Sequence, residues 1–329
     1  MAWESVRAEV MRRGIMPGRS SVLEIGPLDR PVLGKSAYDV RYADFTDSAT
    51  LRAKYADDPG VGAIVDVDVI WDGASPLREV LGEAHLDAVV ASHVIEHLPD
   101  PVGWLANFAG VLTPGGLVNL VIPDKRVTFD VNRRLTEAAD WIDASLRRPS
   151  QPTYAQIFDF HTKALPDADT VGLWAGTVDY RGVVRDEGLA AAALEACRGV
   201  SEDGPHADVH CSVFTPTSFV DIVEQLGELE LLDYALAELV PTKPNTIEFY
   251  ARLMRLDPAS DPAQRRQKRD DGIAAAREAI AAAPAPISAS GSDDDGPSAA
   301  HYVVSEREQR FVELKRRVMR RFRTWRARR

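Results

Sequence analysis

The stretch SVLEIGPLDRPVLGK, residues 21–35, decides how the rest of the chain is read. Val22 and Leu23 run into Glu24, then Ile25 and Gly26, which reads as a short buried strand closing on a tight turn. A dinucleotide-binding turn would continue with further glycines, so that a pyrophosphate can lie against a helix N-terminus. Leu28 and Arg30 stand where those glycines would be needed. Twenty positions after Glu24, at the end of a second apolar run, stands Asp44. That is the spacing at which a doubly wound sheet grips a ribose, because a carboxylate at the second strand end accepts from two vicinal hydroxyls. The ligand expected on this turn has a ribose and no pyrophosphate. S-adenosylmethionine meets both conditions, with Glu24 near its cationic methionine end and Gly26 leaving room for the backbone to pass close.

Outward from this turn, apolar runs alternate with helical patterns in the order that builds a parallel sheet covered on both faces. Strands are expected over residues 21–24, 40–42, 63–69, 86–91 and 117–123, with a helix over 101–112 that starts at a proline. The rhythm breaks at Asp124 and returns near Cys211, where TPTSFVDIVEQLG predicts a helix with Thr215 as N-cap and Pro216 at its first position. Two late strands, 231–239 and 246–254, joined by a KPN turn, predict an antiparallel finish. The fold expected is therefore α/β, a doubly wound, mostly parallel sheet with an antiparallel final strand and a long insertion over 124–211 after strand five. Insertions at the carboxyl edge of such a sheet are where an acceptor site or lid is built.

Composition sets the frame. The 329 residues are 45% hydrophobic, enough for one sizeable core. The N-terminal MAWESVRAEVMRRG is charged throughout, unlike a signal peptide, and no run reaches the length of a membrane span. A cytoplasmic protein is expected. Cys197 and Cys211 are too few for a disulfide framework. The net charge is −11, but residues 305–329 hold eleven Lys or Arg against three Glu, a local +8 that leaves −19 for the remainder. A domain over 1–256, an Ala/Pro/Ser-rich linker region over 257–302 and a basic helix over 303–329 are the expected parts.

A second constellation, ASHVIEHLPDP over 91–101, follows the fourth strand. His93, Glu96 and His97 spell H-x-x-E-H, the letters of an inverted zinc-protease motif, which requires a continuous helix. A strand end before it and Pro99 and Pro101 after it argue against that helix. The position instead places Ser92 and His93 at the carboxyl edge beside Gly26. His206, His210 and Cys211, with Cys197, match no zinc spacing, and no metal is expected.

VLEIG, YADF, VDVDVIWDG, DAVVASHVIEHLPDP, LTPGG and VIPDKRVTFD, in that order and spacing, resemble the class I S-adenosylmethionine-dependent methyltransferases. More narrowly they resemble the bacterial methyltransferases found alongside glycosyltransferases of surface-polysaccharide assembly. The resemblance covers about residues 20–255 and implies a Rossmann-like fold with S-adenosylmethionine as cofactor. It implies further that Glu24, Gly26 and Pro27 form the cofactor turn, Asp44 binds the ribose, Asp68 and Val69 flank the adenine, and Ser92 and His93 line the methionine side. It favours a sugar hydroxyl, on a glycan or glycosylated metabolite, as acceptor.

A sulfonium is already an activated methyl donor, so the protein must align the acceptor oxygen and help it lose its proton. His93, Asp124 and His161 are the candidate bases. His161 follows Tyr154 and Phe158 at spacings of seven and three, so a helix there puts all three on one face. That face either stacks a sugar ring or is simply half-buried. Lys125 and Arg126 either hold an anionic group of the acceptor or pair with Asp130. In the tail, Phe311, Leu314, Val318, Phe322 and Trp325 mark a basic amphipathic helix. It suits an anionic membrane surface, at the inner face of the membrane, or an acidic protein partner better than nucleic acid, or else it folds back on the acidic body. Two classes of function follow: an O-methyltransferase, or a scaffold that uses the same fold without catalysis.

Overall fold

The computed structural model describes residues 3–83, 85–180, 188–201, 204 and 206–287. The expected basic helix over 303–329 lies outside them, as does part of the expected linker. In chain order the elements are α1 (Trp3–Arg12), β1 (Ser21–Ile25), β2 (Asp39–Asp44), α2 (Ser48–Lys54), β3 (Val69–Ile70), α3 (Leu77–Leu81), β4 (Leu86–Ser92), α4 (Pro101–Ala109) and β5 (Leu112–Pro123). There follow α5 (Ala138–Arg147), α6 (Tyr154–Lys163), α7 (Thr170–Ala175), α8 (Gly188–Arg198), α9 (Pro216–Glu228), β6 (Tyr234–Val240), β7 (Glu248–Arg255) and α10 (Pro262–Ala282).

The seven strands form one sheet in the order β3-β2-β1-β4-β5-β7-β6. The first five run parallel, and β7 is antiparallel to both β5 and β6. Because β1 to β3 extend the sheet one way and β4 and β5 the other, the order reverses between β1 and β4. Outside the carboxyl ends of those two strands lies the crevice where open α/β sheets bind ligands.

Each face is covered as the apolar pattern demands. On one face Val10, Met11 and Ile15, on and just after α1, pack on Val22, Val40, Tyr42, Val90 and Tyr250. On the other, Trp104 and Phe108 of α4, Trp141 of α5, Phe219 of α9 and Ile273 of α10 enclose Leu23, Val89, Leu120 and Leu253. Caps fix the helix starts: Asp100 accepts from the Gly103 amide at 2.9 Å with Pro101 next in line, and Thr215 does the same for the Ser218 amide at 3.1 Å. The insertion between β5 and α9 holds α5 to α8, with a small core of Ile157, Phe160, Cys197 and Val209 beneath α6 and α8. Among the described residues no helix is long and apolar enough to cross a membrane.

Two expectations need correction. The third strand, expected over 63–69, pairs only at Val69 and Ile70. The residues before it give their amides elsewhere, Gly62 to the Asp29 carboxylate, Val65 to the Leu28 carbonyl and Val67 to the Ser48 hydroxyl. The linker expected from 257 is helical over Pro262–Ala282, capped by Asp261 and docked through buried Ile273 and Ala276. Its composition is polar because only one narrow stripe is buried.

Candidate functional site

The turn after β1 is built by conformation rather than by repeated glycine. Gly26 takes φ +62°, a region L-residues avoid, and its amide donates to the Ala43 carbonyl at 2.8 Å. A Cβ there would come within 3.5 Å of Val94, two residues beyond the end of β4, so the backbone passes close to the β4 edge. Leu28 also lies in the left-handed region, φ +50°, where a glycine-rich turn would have placed glycine. That conformation costs a non-glycine residue roughly 1–2 kcal/mol. The turn is held open by Glu24, whose two carboxylate oxygens accept from the Val32 and Leu33 amides at 2.6 and 3.0 Å. Burial raises its pKa to about 7 against those two hydrogen bonds. Both oxygens of Glu24, expected near the methionine end of the cofactor, serve the loop.

At the neighbouring strand ends, Asp44 is buried, with Oδ1 accepting from the Phe45 amide at 2.8 Å. Burial also raises its pKa. Asp68 and Val69, expected to flank an adenine, are engaged otherwise. Asp68 takes the Tyr42 amide at 2.7 Å and Lys35 at 2.6 Å, and Val69 is in the core. The exposed apolar side chains at this edge are Ile70, which ends β3, and Phe45, which follows β2.

Across the switch point, β4 ends at Ser92, and His93 follows with φ +56° and its amide on the Val121 carbonyl. The His93 ring lies between two buried carboxylates. Nε2 is 2.8 Å from Glu248 Oε2, and Nδ1 is 3.3 Å from Glu96 Oε1. Glu248 also accepts from the guanidinium of Arg7, at 2.9 Å from Nε, and from the Tyr250 hydroxyl at 2.8 Å. Burial alone would raise the Glu248 pKa, but the charge of Arg7 and the contact with His93 hold it well below the usual carboxylate range. A base must present a nitrogen lone pair to its substrate. Nε2 of His93 is taken by Glu248, whereas Nδ1, 3.3 Å from Glu96, makes no hydrogen bond.

Asp124, the second candidate base, has partners of its own. It is fully buried, its carboxylate gripped by the Arg126 side chain and by the Thr242 hydroxyl at 2.6 Å. Arg126 is therefore committed to Asp124, and Lys125 donates to the Arg133 carbonyl. Neither pairs with Asp130, which bonds Arg133 at 3.0 Å and His210 Nδ1 at 2.6 Å. His161 does lie on α6, with Tyr154 and Phe158 exposed and with its ring edge-on to Phe160. Cys197 and Cys211 point at the carbonyls of Tyr154 and His97.

Arg7 and Glu248 escaped the sequence reading because 241 residues separate them. A lone glutamate opening the run EFYARLM was the only signal. Glu96, His97 and His210 were missed as a group, although their ligand atoms come within 4.8 Å of one another. The link is backbone: the Cys211 and Ser212 amides both donate to the Glu96 carbonyl, at 2.6 and 3.0 Å, which brings residue 210 beside residue 97.

The residue types at the switch point suit S-adenosylmethionine: a glycine with positive φ at Gly26, a buried carboxylate at Asp44, and exposed apolar side chains at Ile70 and Phe45. Residues 7–163 match the family model of a methyltransferase domain, a little under half the chain. No curated protein sequence matches it. Among solved structures, a protein described as a Zn-dependent alcohol dehydrogenase from Rhodobacter sphaeroides aligns at 13% identity and TM-score 0.42, over 77% of this chain and 90% of that one. Magnesium protoporphyrin IX methyltransferase from Synechocystis aligns at 12% and 0.35, over 77% and 81%. An N-methyltransferase from Bradyrhizobium japonicum aligns at 12% and 0.33, over 78% and 95%. The strand order 3-2-1-4-5-7-6 is that of the class I methyltransferase fold, residues 7–163 match the methyltransferase-domain model, and the cofactor these two findings support is S-adenosylmethionine.

Proposed function

We propose that the chain methylates an oxygen acceptor, a sugar hydroxyl on a glycan or glycosylated metabolite. The observation that carries this reading is that the insertion leaves the sheet at Pro123, on the same carboxyl edge as Gly26, Asp44 and Ser92, and bears exposed Tyr154 and Phe158 on one face with His161. Flat aromatic faces of that kind suit the apolar face of a sugar ring. The cofactor supplies a methyl group already activated on a sulfonium. The protein's part is to hold Asp44 against the ribose, to place apolar Ile70 and Phe45 by the base, and to orient the acceptor beneath the insertion. His161, on the aromatic face, is the proposed proton acceptor.

The test is calorimetry with S-adenosylmethionine followed by a labelled-methyl assay over nucleotide sugars, oligosaccharides and small amines. Transfer to a sugar hydroxyl, reduced by about 10² to 10⁴ in turnover in His161→Ala, is the expected result. Transfer to amines alone would overturn the acceptor class, and tight cofactor binding without transfer to any acceptor would favour a scaffold.

A further inference from the structure

We propose that Glu96, His97 and His210 form a binding site for one divalent transition-metal ion of the zinc class. The three residues offer two imidazole nitrogens and a carboxylate oxygen, all within 4.8 Å of one another. A two-histidine, one-carboxylate set suits zinc and its borderline neighbours, and suits magnesium poorly, since that ion demands oxygen ligands.

Three further observations point to a cation. Glu96 is fully buried, and neither of its carboxylate oxygens has a hydrogen-bond partner. His93 Nδ1, 3.3 Å from Oε1, lies outside hydrogen-bonding alignment. Buried carboxylates are paired or coordinate metals, because an uncompensated one is costly by several kcal/mol, as the usual estimates put it. Second, His210 is arranged as metal-bound histidines are. Its Nδ1 is 2.6 Å from Asp130 Oδ2, and Asp130 is itself held by Arg133, which fixes the ring and makes Nε2 the nitrogen for an ion. Third, the imidazole rings of His97 and His210 meet edge to face at 4.7 Å, so the two nitrogen donors share one small volume. Asp208, 3.1 Å from His97 Nδ1, adds a further negative charge at the rim.

Three protein ligands leave coordination positions open, the pattern of sites that bind a substrate oxygen rather than of closed structural sites. The cluster sits one turn after β4, at the edge where the switch point lies, and beneath the insertion. An ion there has an open position for the acceptor hydroxyl. That use rests on the methyl-transfer reading, whereas the binding of the ion does not.

The full chain, stripped with chelator, is titrated with Co²⁺ and followed by visible d–d absorption, with Zn²⁺ competition and elemental analysis. One Co²⁺ per chain, displaced by Zn²⁺, is expected. Asp130→Asn should weaken binding about 10- to 100-fold, as outer-shell changes do, and His97→Ala, at a partly exposed position, should weaken it further. Absence of stoichiometric uptake by the wild type, or titration curves unchanged in His97→Ala and Glu96→Gln, overturns the site. Parallel calorimetry with S-adenosylmethionine separates the two readings: cofactor binding without metal uptake sinks the metal site alone, and metal uptake without cofactor binding sinks the transfer reaction alone.

Discussion

Glu24 offers a test of the turn after β1 through stability rather than activity. Its carboxyl is 2% exposed and its pKa is raised by burial from 4.5 to about 7, despite the two amides that favour the charged form. Below about pH 4.5 the folded and unfolded chains both carry the proton, so the group has no net effect on folding. Between there and about pH 7 the unfolded chain ionises while the folded one keeps the proton, and stability falls as pH rises. At about 1.4 kcal/mol per pH unit, the fall levels off near 3 kcal/mol, to within about a factor of two. Glu24→Gln removes this titration but replaces one acceptor oxygen with a donor that faces an amide, a cost of about 1–3 kcal/mol. Urea unfolding of both proteins from pH 4.5 to 8 gives the comparison. The variant should be the less stable at the acid end and should gain on the wild type by about 3 kcal/mol as pH rises. Parallel stability curves would refute the account and show that Glu24 is ionised in the folded protein throughout.

Asp44→Ala should weaken S-adenosylmethionine binding by about 1.5–3 kcal/mol in calorimetry, and unchanged affinity in a folded variant would remove the ribose assignment. Arg7→Ala leaves Glu248 buried with its main positive partner gone and should cost about 3–5 kcal/mol in denaturant unfolding, partly restored by adding Glu248→Gln. Gly272→Ala should loosen α10, because its Cβ would fall 2.1 Å from the Leu236 carbonyl oxygen. An exposed helical site would instead gain about 0.5–1 kcal/mol from that change, so a raised urea midpoint would contradict the close approach.

What was legible in the sequence was whatever rests on neighbours along the chain. The buried strand before Gly26, the helix starting at Pro101, and the helix capped by Thr215 with Pro216 at its first position are local devices, and they stand where expected. The β2 and β4 ends also came out, since turn chemistry marks them. The alternation VDVDVI failed as a strand signal because side chains and loops took its amides before a neighbouring strand did. The helix α10 failed the opposite way: one buried stripe in a run of Arg, Gln and Asp gives almost no amphipathic contrast. Within the site, spacing singled out Gly26 and Asp44, whereas the long-range partners of His93 and Asp124, Glu248 and Thr242, are set by how the last two strands fold back.

The strap between α1 and β7 bears on how the molecule is made. Arg7 meets Glu248, Asn119 donates to the Met11 carbonyl at 2.7 Å, and Arg252 reaches back to both Asn119 and the Val10 carbonyl. The strand made last in the sheet is an interior one, lying between β5 and β6. A nascent chain therefore leaves the ribosome with the apolar side of its first helix in place and the matching half of its seat still unmade. Until residue 255 has emerged, β5 presents an open hydrogen-bonding edge and His93 lacks its second carboxylate. Contacts of such sequence separation close slowly, so fragments ending before β7 should be poorly soluble and dependent on chaperones.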